Sequence, residues 1–431
     1  MSGSERWRTR IYLGAVFLLA LALRLWWVRH FVVPNYPDQP SLEAYAANVA
    51  HGLYYGTHGA YWPPAFIFLA GLVERLAGTA QHFLAVREVN ALLGALAAVL
   101  AADLARRLLR SPAAALAAGV LLALYAPSIY YTDTFLNTTL DQLMLVAVLD
   151  AQAAWADHPS VAGLALNGLL LGLATLTKPI LLPLVVPGLV HWGLAGRGRR
   201  PWRAAAFASA TVLLLALAVN VPWTVRNLKV TGSPVFVDVN GGVNFLIAHN
   251  PAATGAWINL GSANPVLLRG SGYDRPNTNR YALTAGLDYF LAHPRTDLRQ
   301  AETILKRFWT EPDTDVSTFG ANLAPLRAAW HVPLLGFGFL RDLALLGVPF
   351  LLVRWRRTLL LPLVAAGYSA GLALLFFVPR FRLPLAPVLV VTAAAGLVGL
   401  ARGWLRDWRG ARSEREPKRS GSPPAVQRES A

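Results

Sequence analysis

"IYLGAVFLLALALRLWWVRHFVVPNYPDQPSLEAYAANVAHG", residues 11–52, sets an apolar run against a polar stretch with two carboxylates, Asp38 and Glu43. The run Ile11–Val28 approaches the roughly 20 residues that a bilayer-spanning helix needs. The basic flank "MSGSERWRTR" precedes it, and the large, aromatic "RHFVVPNYP" follows where a signal peptide would carry a small-residue cleavage site. It therefore reads as an uncleaved first helix. After Arg29 no lysine or arginine occurs in the quoted stretch. That absence needs a physical reason in so basic a chain.

Apolar runs of this kind recur along all 431 residues; hydrophobic residues make up 55% and charged ones only 14%. Soluble domains carry about 25% charged residues, so much of this chain is solvated by lipid. The expected fold class is an all-α polytopic membrane protein with about 10 spans, interfacial helices and a small mixed external subdomain. The net charge of +16 does not call for nucleic acid, because the arginines cluster in short stretches between apolar segments, as the positive-inside rule expects. The absence of cysteine excludes disulfides, thiolate metal sites and cysteine nucleophiles.

The basic stretches "RWRTR" (6–10), "RRLLR" (106–110), "GRGRRPWR" (196–203), "RWRR" (354–357) and the tail from Arg402 belong in the cytoplasm. Helix 1 then exits outward, which places Asp38 and Glu43 on the external face. Segment 61–77 is short, opens on "YWPP" and carries Glu74 and Arg75, so it should lie in the outer interface. Further spans are expected at 84–105, 112–131, 139–156, 161–177, 180–195, 204–222, 336–353, 358–378 and 384–402. The chain thus divides into an N-terminal membrane module (1–222) with a catalytic first external loop (32–83), an external subdomain (223–335), C-terminal helices (336–402) and a basic cytoplasmic tail (403–431). Gly, Asn and β-branched residues after 223 suggest loops with short strands. Two helices, capped near Thr296–Asp297, should follow. The Arg/Ser/Pro-rich tail reads as disordered.

Positive charge is depleted from external turns, so cations there require explanation. Lys178, Arg226, Arg380 and Arg382 come from three distant regions but share one predicted membrane depth. A converging set of cations at the outer interface suits an anionic lipid headgroup; the plainer alternative is that each snorkels to bulk lipid. The external acids carry the same ambiguity: Asp38 and Glu43 flank a helix start near Ser41 and could serve only as helix-start charges. Asp133 ends a span, and Asp141 and Asp150 lie inside one, where a carboxylate needs a partner. His51, His58, His249 and His293 show no metal-ligand spacing. Carboxylates beside cations can deprotonate a hydroxyl and stabilise a departing phosphate.

These residues resemble the GT-C class of membrane glycosyltransferases, and among them the family 39-like enzymes related to protein O-mannosyltransferases and the lipid A aminoarabinose transferase. "DQPSLEAYAANVAHG" fits the family's acidic motif after helix 1, with Gln39 standing where a second acid is usual and Leu42 where a tyrosine is common. "YWPPAFIFLAGLVERLAG", "REVNALLGAL", "GLLLGLATLTKPILL", "VPWTVRN", "NGGVNFLIAHNP" with "TGAW", and "PRFRLPLAPVLV" match further family patterns in order. The resemblance implies the GT-C fold and sugar transfer, hexosyl or pentosyl, from a polyprenyl-phosphate donor to an acceptor hydroxyl. That transfer would be inverting, at the external face of the plasma membrane. Asp38 falls on the catalytic aspartate and would be the general base. Lys178, Arg226 and Arg380 or Arg382 would hold the donor phosphate. Glu43, Asp133, Asp141, His249 and Asn250 are further candidates for substrate contact. Many relatives carry an acid where Thr138 stands here, so Asp133 and Asp141 compete for that role. No metal or other cofactor is expected, although relatives with diphosphate donors use a divalent ion. The acceptor would be a glycan, lipid or protein. The competing readings are a lipid-linked glycan transporter or flippase and a non-catalytic glycan-assembly membrane protein.

Overall fold

A computed structural model describes residues 3–31, 36–53, 60–78, 82–195, 201–258, 260, 276–311 and 335–415. Among these the secondary structure is helical, apart from two isolated bridges pairing Tyr125 with Leu335 and Ala256 with Phe377. The expected all-α membrane architecture is therefore present. Among the described residues four helices are long and apolar enough to cross a membrane, at Trp7–His30, Phe83–Leu109, Pro201–Thr231 and Pro379–Gly403; shorter apolar helices occupy Pro112–Ala123, Val161–Thr177 and Pro179–Ala195.

In chain order, α1 (Gly3–His30) leads to α2 (Gln39–Ala50) and α3 (Pro64–Ala77), which pack on each other. At 14 residues α3 is about 21 Å long, too short to cross roughly 30 Å of hydrocarbon. Gly71 lets α3 seat on α2, because a Cβ there would meet Ala46 O and the Val49 side chain at 2.7 Å. The helices α4 (His82–Leu109) and α5 (Pro112–Ala123) pack through buried alanines, including Ala98, Ala101, Ala102, Ala114 and Ala118. Small side chains allow the close approach that holds helices together in lipid, where hydrophobic driving force is absent. A short helix, α6 (Ala126–Tyr130), continues the path of α5 and leads to α7 (Thr138–Asp157).

Next come α8 (Val161–Thr177), a 3₁₀ turn at Pro179–Leu184 and α9 (Val185–Ala195). Then α10 (Pro201–Thr231) runs nine residues beyond the expected end at 222, passing through Pro222. Where strands were expected after 223, the described chain instead has irregular backbone strapped to α10. Trp223 Nε1 donates to Val237 O (2.7 Å), Thr224 Oγ1 to Phe236 O (3.0 Å) and Asn227 Nδ2 to Val235 O (3.0 Å). These carbonyls are satisfied by helix side chains, so no sheet ladder is required. The rest of this segment holds α11 (Gly241–Ala248), α12 (Pro276–Ala292) and α13 (Pro294–Thr310).

The C-terminal part contains α14 (Phe337–Leu352), α15 (Trp355–Thr358), α16 (Leu360–Ala373), a 3₁₀ turn at Pro379–Leu385 and α17 (Ala386–Arg415). Helix continues past 403 to Arg415, where an unstructured tail was expected; residues 416–431 lie outside the described residues. His58 also lies outside them.

A buried polar chain ties the bundle together. Arg24 donates to Ala20 O (3.1 Å), Leu122 O (3.3 Å) and Ser128 Oγ (3.0 Å); Ser128 Oγ donates to Gln142 Oε1 (2.7 Å), and Gln142 Nε2 to Leu383 O (2.9 Å). It links α1, α6 and α7 to the 3₁₀ turn that carries Arg380. At one end of α7, Asp157 binds Arg110 (2.5 Å) and Arg357 (2.8 Å). The opposite end opens on a cavity. The 20 residues of α7 place the two ends about 30 Å apart, the thickness of the hydrocarbon core.

Candidate functional site

The cavity at the Thr138 end of α7 has a volume of about 250 Å³. Asp38 and Trp62 enter from the first polar stretch, Asn137 and Thr138 from α7, and Lys178 from the turn after α8. Asp238 and Asn240 enter ahead of α11, and Arg380 and Phe381 from the 3₁₀ turn before α17. Asp38, Lys178 and Arg380 therefore meet, although they are separated by most of the chain.

Local structure explains why Asp38 faces the cavity. It occupies the N-cap position of α2, yet its side chain makes no capping hydrogen bond. Arg380 Nη2 takes it instead, at 2.5 Å from Asp38 Oδ2. This is a charge-assisted contact between partly buried groups, so it is stronger than a surface pair. Behind it stand the rings of Tyr36 and Tyr131, 5.8 Å apart. Burial pushes the Tyr36 phenol above its ordinary range, so it stays a neutral donor. The expected helix start near Ser41 is two residues late, and Ser41 Oγ accepts from Trp62 Nε1 (3.0 Å).

Lys178 Nζ lies 3.5 Å from Asp141 Oδ2 and 4.3 Å from the centre of the Phe381 ring. The distance to Asp141 exceeds that of a good hydrogen bond, so ammonium donors remain for a ligand. Arg380 lies 5.9 Å from the same ring centre. A guanidinium has five donor hydrogens, and Asp38 occupies only part of that fork. Phe381 thus carries two cations whose remaining donors can address one anion.

Other candidates lie elsewhere. Arg382 is only two residues past Arg380 but is fully buried away from the cavity. It donates to Phe308 O and Arg307 O (both 2.7 Å) and lies 4.2 Å from the Phe337 ring centre and 4.7 Å from that of Phe377. The 3₁₀ turn explains this split: at three residues per turn, positions i and i+2 face different directions. Arg226 sits within α10, over Trp223 (4.9 Å), and donates to Asn227 Oδ1 (3.1 Å); it does not line the cavity.

Glu43 accepts from the buried Gln39 (2.7 Å), so the residue at the expected second-acid position orients another acid and does not reach the cavity. Asp133 pairs with Arg87 (3.3 Å) in the interior, while Asp141 stands one turn past Thr138 beside Lys178 and Asn137. Of the two, Asp141 is coupled to the cavity through Lys178. Asp150 pairs with Arg107 (2.9 Å) at the opposite end. His249 is buried, with Nδ1 2.8 Å from Asp297 Oδ1 and Nε2 3.1 Å from Leu374 O. Asn250 bonds backbone at Leu246 and Ile247. His249 thus ties α11 to α13 and to the end of α16, whereas Asn250 closes the end of its own helix; neither lines the cavity.

Sequence reasoning passed over Asp238. Its half-buried carboxylate accepts from Asn240 N (3.2 Å) and has no ion-pair partner among the described residues. Burial raises this acid to about 7. The signal was present as an acid two residues before an Asn-Gly-Gly turn, the pattern of an Asx turn, but alternating valines suggested a strand.

Comparison with known proteins now bears on this geometry. Residues 62–225 match the family model for dolichyl-phosphate-mannose-protein mannosyltransferase. No curated protein matches the chain. The archaeal oligosaccharyltransferase AglB from Archaeoglobus fulgidus, solved with an inhibitory peptide and a dolichol-phosphate, superposes with a TM-score of 0.57 at 15% identity, covering 98% of this chain and 53% of that one. The Archaeoglobus fulgidus oligosaccharyltransferase in complex with Zn and sulfate gives 0.55 at 14% identity, covering 94% and 50%. ArnT from Cupriavidus metallidurans bound to undecaprenyl phosphate aligns more loosely, at 0.40 and 15% identity over 92% and 78%. The chain spans about half the length of the oligosaccharyltransferases it matches. The GT-C fold, and the resemblance to family 39-like membrane glycosyltransferases implied by the sequence motifs, are both supported.

Proposed function

We propose that this GT-C-fold membrane protein moves a sugar from a polyprenyl-monophosphate donor to an acceptor hydroxyl, with inversion at the anomeric carbon. The observation that carries the reading is the meeting of Asp38, Lys178 and Arg380 in one cavity. The Asp38 carboxylate takes the proton of the acceptor hydroxyl as its oxygen attacks the anomeric carbon. The bond from that carbon to the phosphate oxygen breaks, and the phosphate leaves with the electron pair. Lys178 and Arg380 balance the charge that develops on it. Arg380 also fixes the direction of the Asp38 carboxylate, so one guanidinium couples base and leaving group. Two cationic side chains match the charge of a monophosphate, so this reaction is assigned no metal.

The arginine-rich end of α7 belongs on the cytoplasmic side, as the positive-inside rule requires. The cavity then faces the outside of the plasma membrane, and the termini lie inside. The polyprenyl tail stays in the bilayer while its phosphate reaches the cavity from the interface.

The test incubates the purified chain, reconstituted in lipid, with radiolabelled polyprenyl-phosphate sugars and a membrane extract. The wild type should label an acceptor. Asp38→Asn should lower transfer by about 10²–10⁴-fold while inserting and melting normally. Full activity in Asp38→Asn would remove Asp38 as the base, and an unlabelled extract with every donor would favour a non-catalytic assembly role.

A further inference from the structure

Asp238 lines two cavities. One is the cavity with Asp38, and the second, of about 330 Å³, lies between residues 233–239 and the start of α12. Five of the ten residues lining the second cavity carry polar side chains: Ser233, Asp238, Asn277, Asn279 and Arg280. The exposed Phe236 ring adds an apolar face. We propose that this second cavity is the acceptor subsite and that it takes a saccharide, whose hydroxyl Asp238 presents toward Asp38.

The inference rests on the transfer reading above and adds the class of acceptor. A sugar ring offers adjacent hydroxyls that both donate and accept, and a less polar C–H face. Carboxylate, amide and guanidinium groups together supply acceptor-only, mixed and donor-only partners, and Phe236 supplies a surface for the C–H face. An extended peptide acceptor would instead seek unpaired backbone along the wall. Here that backbone is largely occupied, because the carbonyls of Ser233, Val235, Phe236 and Val237 already accept from α10 side chains, and Val239 N donates to Ala60 O (2.8 Å). The same straps make the wall rigid, as a site built for positioning requires. Among the acids on the cavity with Asp38, Asp38 is tied to Arg380, whereas Asp238 accepts from the backbone of Asn240 and Gly241 and has no cation among the described residues. Its remaining lone pairs can accept from an incoming hydroxyl.

The test uses the full chain in nanodiscs of phosphatidylcholine. Saturation-transfer NMR reads binding of methyl glucoside, mannoside, galactoside and N-acetylglucosaminide, and a separate titration measures undecaprenyl phosphate. The wild type should transfer saturation to at least one glycoside, and Asp238→Asn and Phe236→Ala should each reduce it by about fivefold or more. Undecaprenyl phosphate affinity should stay within about twofold in both variants. Melting profiles confirm folding, and Asn277→Ala, on the exposed rim, provides a variant away from the strapped segment. The proposal falls if no glycoside responds, or if the response survives in all three variants. It falls also if Asp238→Asn weakens undecaprenyl phosphate as strongly as the glycoside, which would make Asp238 a donor residue. Failure of the wild type to bind undecaprenyl phosphate, with glycoside binding intact, would overturn the donor reading and leave the saccharide subsite standing.

Discussion

Both ends of α7 gather cations and aspartates, but they use them differently. At the Asp157 end the charges close on themselves: Arg110 and Arg357 share Asp157, Arg106 and Arg107 share Asp103, and Arg107 also reaches Asp150. At the Thr138 end the pairs are looser. Lys178 stands 3.5 Å from Asp141, Arg380 has a single carboxylate, and Asp238 has no cation among the described residues. One end uses charge to hold helices in register, while the other keeps donors and acceptors available. The Asp157 end sets four arginines against three aspartates and the Thr138 end one lysine and one arginine against three, so the ends differ in how completely their acids are satisfied.

Substitutions can break this contrast in order of expected effect. Arg382→Ala should be the most damaging to folding, at about 3 kcal/mol or more, because it removes donors from buried carbonyls and empties the space between Phe337 and Phe377. Thermal unfolding in lipid reads it. Normal stability would mean that the arginine is not the clasp its contacts indicate. Lys178→Ala and Arg380→Ala should instead spare stability and weaken undecaprenyl phosphate binding by about 10–100-fold, measured by titration. Asp157→Ala should do the reverse, costing about 1–2 kcal/mol by releasing two arginines with donor affinity unchanged. If it lowered affinity as much as Lys178→Ala does, the two ends would not be separate systems.

The smallest effect concerns Asp238. Folding raises this acid from its ordinary carboxylate range to about 7, so the folded state disfavours its ionised form. Stability linked to it is full below about pH 4 and is lost as pH rises through about 7. Asp238→Asn should therefore melt above wild type at pH 8, by on the order of 1–2 °C given the group's partial exposure. The gain should vanish near pH 4. A gain that grew on acidification would reverse the assignment.

The sequence carried the helical membrane architecture because span length follows from hydration energies that are local in the chain. It also singled out Asp38, Lys178 and Arg380, which line one cavity, because cations in short turns between apolar segments call for a partner. It could not separate Arg380 from Arg382, since that depends on a 3₁₀ turn, and proline-containing "PRFRLP" fits several backbones. Arg226 was placed beyond the span expected at 204–222, yet α10 runs on through Pro222 and includes it. Asp238 was hidden for a related reason: alternating valines look like a strand until the α10 side chains that take up their carbonyls are known. His249 looked available because its partners, Asp297 and the Leu374 carbonyl, lie far along the chain, whereas Asn250 turns back on the last carbonyls of its own helix, Leu246 and Ile247.

The contact between Asp38 and Arg380 spans 342 residues of chain. At a synthesis rate of about 5–20 residues per second, roughly 20–70 s separate the emergence of the two residues from the ribosome. Throughout that interval the nascent protein sits in the membrane with its aspartate unclamped and one wall of the cavity missing. Chemistry of the kind proposed cannot begin until the segment carrying Arg380 has been inserted, so completion of the fold acts as a timer that withholds reactivity from unfinished chains.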